Sequence, residues 1–93
     1  MEHWESGIRP ERTPAIIVNG EFLYPEEGAA FGETVIQAAF DANIRNFHVY
    51  AVEGCDDEDG EPMEPGDEYL PGTAPATFNA NMVVELKAYD TAG

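Results

Sequence analysis

The spacing of apolar positions changes along the chain, and each change marks an element. Ala15-Ile16-Ile17-Val18 is a short β-branched run, followed by Asn19-Gly20 and then Glu21-Phe22-Leu23-Tyr24. Two apolar runs separated by Asn-Gly predict a hairpin with strands at 15–18 and 21–24. The turn is of type I′, in which both central residues need positive φ. The stretch Thr34–Asn43, TVIQAAFDAN, carries the helical period. Val35, Ile36, Ala39 and Phe40 form one broad apolar stripe, with Gln37 and Asp41 opposite. Thr34 is the expected N-cap and Asn43 the expected C-cap, and Glu33 lies at the positive end of the helix dipole. A helix of about ten residues is marginal alone and must bury its stripe on something else.

A third strand is expected over 47–52. Its two faces, Phe47/Val49/Ala51 and His48/Tyr50/Val52, are both fairly apolar, so the pattern does not say which points inward. Residues 53–68 hold nine acids, two prolines and three glycines and read as a charged, solvated loop. Glu68–Pro71 is a candidate short edge strand, and 72–81 a connection with Phe78 plugged into the core. The last strand, 82–89, alternates cleanly: Met82, Val84, Leu86 and Ala88 on one face, Val83, Glu85, Lys87 and Tyr89 on the other. Residues 1–13, with Trp4 and Ile8 isolated among charges, read as a flexible arm. Residues 14–89 read as the domain, and 90–93 as a tail. A domain this small has one core, so the hairpin and the last strand share a sheet. The simplest mixed sheet has the last strand in the middle, beside strand one, with the helix lying diagonally across one face.

Charge narrows the function. Nineteen acids against four basic residues give −15 at neutral pH. That excludes binding nucleic acid through its phosphates, which needs Lys and Arg. It allows a solvated surface in high salt, a basic protein partner, or a surface that imitates nucleic acid. The one cysteine, Cys55, cannot form an internal disulfide or a four-thiolate cluster, and a reducing cytoplasm is the expected home. No apolar run reaches the roughly 18 residues of a membrane span, and the N-terminus has no signal-peptide core.

Taken in order, AIIVNGEFL, ETVIQAAFDANI, FHVYAVEG and NMVVELKAYDTAG resemble a β-grasp, ubiquitin-like protein over residues 14–93. IIVNGE and GETV are similar to the thiamine- and molybdopterin-type sulfur carriers. PGDEYLPG loosely resembles the glycine–aspartate turn that those carriers place before the final strands. The helix is also similar to that of plant-type ferredoxins, but the cluster cysteines are absent. The resemblance implies an α+β, β-grasp fold, with a mixed four- to five-stranded sheet packed on one helix. It also implies a monomeric modifier of divergent bacterial style, activated at its C-terminal Gly93 by an E1-like enzyme, with E2-like or JAB-type peptidase partners. Thr91-Ala92-Gly93 departs from the usual Gly-Gly ending. The alternatives are a non-covalent acidic protein-binding module and a nucleic-acid-mimicking inhibitor.

Other chemistry is thin. With Cys55 at position one, Asp57, Asp59 and Gly60 fall in calcium-loop register, but a thiol and Gly66 occupy the first and last ligand positions. No metal and no cofactor are expected. Acidic neighbours Glu53, Asp56 and Asp57 should raise the Cys55 pKa, the wrong direction for a nucleophile. His48 has no Ser or Cys at a meaningful spacing. With no nucleophile, base and oxyanion site assembled, the chain reads as the substrate of an enzyme rather than an enzyme. His48, Tyr50, Val83, Lys87 and Tyr89 are candidates for a partner-facing surface, and Lys87 is the only lysine.

Overall fold

A computed structural model describes residues 13–70 and 72–89. The expected arm up to residue 12 and the tail 90–93, with Thr91, Ala92 and Gly93, lie outside the described residues. The elements are β1 (Ala15–Val18), β2 (Glu21–Leu23), α1 (Phe31–Asp41), β3 (Phe47–Glu53) and β4 (Val83–Ala88). They make one four-stranded mixed sheet in the order β2-β1-β4-β3, with α1 packed on one face. The last strand is central, as expected, and pairs parallel to β1 and antiparallel to β3. The hairpin turn is also as expected, with Asn19 at φ 54 and Gly20 at φ 82. Of the candidate fifth strand at 68–71, the described residues show only an isolated bridge between Glu68 and Tyr50.

The helix differs from the expectation in its start and its rotation. It begins at Phe31, and Thr34 lies inside it, donating its amide to the Ala30 carbonyl at 3.0 Å. Its N-cap is Ala30, which offers no side-chain bond. A distant segment ties down this end instead: the Phe31 amide donates to the Ala76 carbonyl at 2.9 Å, and Phe78 exchanges bonds with Gly28 and Ala29. The reason is the Phe31 ring, wedged between Phe78 and Tyr69 at centroid distances of 4.8 and 5.1 Å.

Anchoring Phe31 makes Phe31, Val35, Ala38 and Ala39 the buried stripe. Ile36 and Phe40, expected inside, then lie roughly 115° and 155° around from its centre at 100° per residue. They are 62% and 76% exposed. The C-terminal end is closer to the expectation. Asn43 adopts φ 62, with Ile44 bonded back to Ala39 and Asn43 to Phe40, which satisfies two orphan carbonyls in a Schellman motif.

The inward face of β3 is Phe47/Val49/Ala51, which meets α1 together with Ile16, Val18, Met82, Val84 and Leu86. Phe78 is fully buried, as the sequence suggested. The opposite face of the sheet carries a smaller cluster of Ala15, Tyr24 and Val83, with Ile17 and Val52 beside it. Among the described residues, no helix is long and apolar enough to cross a membrane.

Candidate functional site

The β3/β4 register sets His48 opposite Lys87 and Tyr50 opposite Glu85. This gathers four of the five expected partner-facing residues on the sheet face turned away from the helix. The His48 ring packs at a tilt against Tyr89, 4.5 Å between centroids, and lies 6.1 Å from Tyr50. Its Nδ1 is 2.5 Å from Oε2 of Glu68, which ties β3 to the end of the acidic loop. The Lys87 ammonium sits 5.5 Å over the Tyr50 ring, a cation–π contact that contributes about 0.5–1 kcal/mol at an exposed site. Val83 does not belong to this group. Strand alternation puts it on the same face, but it is only 4% exposed, packed with Ala15 and Tyr24. Its side chain is covered by the sheet's own cluster.

Residues 53–68 form a largely exposed loop, as expected, but its turns are ordered by specific bonds. Cys55 is buried at its root, with its thiol donating to the Val83 carbonyl at 3.0 Å. The Met63 amide returns to the Cys55 carbonyl, and the Tyr69 hydroxyl donates to the Asp56 carbonyl at 2.9 Å. Oδ1 of Asp57 accepts the amides of Asp59 and Glu61, each at 2.9 Å, and Oδ2 of Asp67 accepts that of Glu64. Composition conceals this because the ties are backbone groups and two buried side chains. The result is a set of carboxylates on fixed turns, with Glu58, Asp59, Glu61 and Glu64 exposed. Among the described residues, no three His, Cys, Asp or Glu side chains converge as metal ligands would.

Cys55 has a raised pKa, as expected, but the main cause is burial rather than its acidic neighbours. Hydrogen bonding from Tyr69 and with the neighbouring backbone pulls it only partway back. Burial also pushes the Tyr69 phenol far up, and the adjacent Cys55 adds to the effect. Both groups stay neutral and act as anchors.

Sequence reasoning missed an apolar hollow along the outer edge of β3. It measures about 610 Å³ and runs between the first half of α1 and residues 68–74, with Phe31, Val35, Ile36, Leu70 and Tyr89 in its walls. A second hollow of about 500 Å³ shares Ile36 and Phe47 with it and continues to Phe40 and Arg45. Ile36, Phe40, Leu70 and Tyr89 are all large apolar groups in water, 44–76% exposed. A signal was present in the sequence. With Phe31 included, the helical stretch carries more large apolar side chains than one face of a short helix can bury.

Compared with known protein families, curated proteins and solved structures, the chain finds no match in any of the three.

Proposed function

We propose that this chain is a non-enzymatic, β-grasp-like protein-binding domain that docks a basic surface of another protein. The observation that supports it is the ordered acidic ridge of 56–67, which leads through Glu68 into the lining of an exposed apolar groove. Because the turns that carry these carboxylates are already ordered, little further backbone freedom is lost when a partner's Lys and Arg side chains meet them. The net charge of −15 steers such a partner in from a distance. The adjoining apolar groups supply the short-range contacts that hold the complex, since rim charges mainly set the on-rate.

The test uses a photo-reactive amino acid at position 58, on the ridge, in cells that make the protein. The cross-linked protein is identified, purified and titrated calorimetrically with wild type and with a triple variant, Glu58→Gln, Asp59→Asn and Glu61→Gln. A basic partner bound about tenfold more weakly by the variant is the expected result. Equal affinity for both would remove the acidic ridge from the function.

A second reading, a ubiquitin-like modifier, draws on the position of β4. The strand lies at the centre of the sheet, parallel to β1, and leads towards 91–93. That is the order the β-grasp resemblance implies. Under this reading the Gly93 carboxylate is adenylated by an E1-like enzyme, and a side chain there hinders entry to the enzyme's channel. Gly93→Val should abolish ATP–pyrophosphate exchange by that enzyme, and equal exchange by both forms would remove Gly93 from the mechanism.

A further inference from the structure

We infer that the outer edge of β3 takes up an extended, lysine- or arginine-bearing segment of the basic partner as an added strand. This rests on the binding reading above and specifies how the partner docks.

The backbone carries the argument. The Tyr89 amide donates to the Asn46 carbonyl, so in this antiparallel pair Asn46, His48 and Tyr50 turn their peptide groups towards β4. Phe47, Val49 and Ala51 turn theirs outward. Ala51 is fully used there: its amide donates to the Asp67 carbonyl, and its carbonyl accepts from Gly66. The Val49 carbonyl accepts from Tyr69 at 2.8 Å. The chain diverges at that point. Among the described residues, nothing pairs with the Val49 amide or with the outward amide and carbonyl of Phe47. Among the described residues, half of β3 is therefore an open ladder, and an open ladder is a template for another strand.

The hollow follows this same edge. The helix residues Phe31, Val35 and Ile36 wall one side, while His48, Glu68 and Tyr89 come from the other face of the sheet. A strand laid there would point alternate side chains towards Ile36 on one side and towards Glu68 and the tyrosines on the other.

Charge decides the occupant. The lining contains the Glu68 carboxylate and no Lys or Arg, and the acidic ridge begins where the edge becomes paired. A second copy would bring another −15 to the same place. A segment alternating apolar and basic residues meets both requirements.

The experiment is a ¹H–¹⁵N NMR titration of the full chain with a short synthetic peptide of alternating valine and lysine. A second arm uses the same peptide with its pairing amides N-methylated, and a third replaces lysine with glutamate. The parent peptide is expected to shift the Phe47 and Val49 amides and to slow their hydrogen exchange. N-methylation, the glutamate peptide, and Leu70→Glu or Ile36→Glu in the protein should each weaken binding about tenfold or more. Both protein substitutions are at exposed positions, and circular dichroism checks that each variant stays folded. Shifts confined to 56–67, with Phe47 and Val49 unmoved, would overturn strand addition while leaving the acidic docking reading intact. Concentration-dependent shifts of the same two amides without peptide would assign the edge to a second copy and overturn the proposal. Absence of binding by every peptide would also overturn it, and the position-58 cross-link then decides the broader reading separately.

Discussion

Two phenylalanines on one helix give a direct test of how α1 is seated. Phe31 is 5% exposed and Phe40 is 76% exposed, although both belong to the same eleven-residue element. Truncating Phe31 removes a ring from between Phe78 and Tyr69 and opens a cavity beneath the helix. Phe→Ala in a core costs about 3–5 kcal/mol. Within that figure, each aromatic pair accounts for about 0.5–1.5 kcal/mol beyond area burial. A small domain with a stability of about 5–10 kcal/mol would lose a large share of it. Phe40→Ala removes a ring already in water, and alanine is the better helix former by about 0.5 kcal/mol. The two effects nearly cancel, so its change should stay within about 0.5 kcal/mol of zero. Urea melts followed by far-ultraviolet circular dichroism measure both, with equal slopes required before midpoints are compared. Phe31→Leu extends the series if the alanine variant fails to fold. A cost above about 2 kcal/mol for Phe40→Ala, with less than about 1 for Phe31→Ala, would refute this seating of the helix.

Gly54→Ala should cost about 2–4 kcal/mol, because φ is +66° and the new Cβ would sit 2.6 Å from the Asn81 carbonyl oxygen. Gly28→Ala, at φ +91° with open space around it, should cost only about 1 kcal/mol, and equal losses would contradict the close approach at Gly54. The protein should also lose stability in alkali. Cys55 and Tyr69 titrate ordinarily near 9.0 and 10.0, and both are raised in the fold, so the unfolded chain gives up these protons first. Their contribution is fully present below pH 9 and declines as pH rises towards the folded values. Urea midpoints measured across this range should fall in wild type and fall less in Tyr69→Phe. An unchanged slope in that variant would remove Tyr69 from the effect.

The hairpin was legible because Asn19-Gly20 carries its own geometry, with both residues in the left-handed region. The place of the last strand followed from the need for a single core, and Phe78 stood out as an aromatic in a connection otherwise poor in large apolar groups. The seating of the helix was not legible. Its N-terminal tie is made by backbone groups of 76–78, so Thr34 looked like the cap when the cap is Ala30. Once Phe31 is placed, Ile36 and Phe40 must face water. The order of 53–68 was hidden for a related reason: Cys55 and Tyr69 act at a distance along the chain, while the local composition is that of a loop. Val83 followed strand alternation to the correct face, but burial on that face depends on neighbours that a period of two does not reveal.

The most direct test of the central claim is the association rate of the protein with its cross-linked partner. Stopped-flow mixing would measure it from about 20 mM to about 500 mM salt, a range over which the Debye length falls severalfold. Docking through the acidic surface predicts a rate constant that declines steadily, by about tenfold or more across the range, with dissociation much less affected. A rate constant that stays flat with salt would contradict the account.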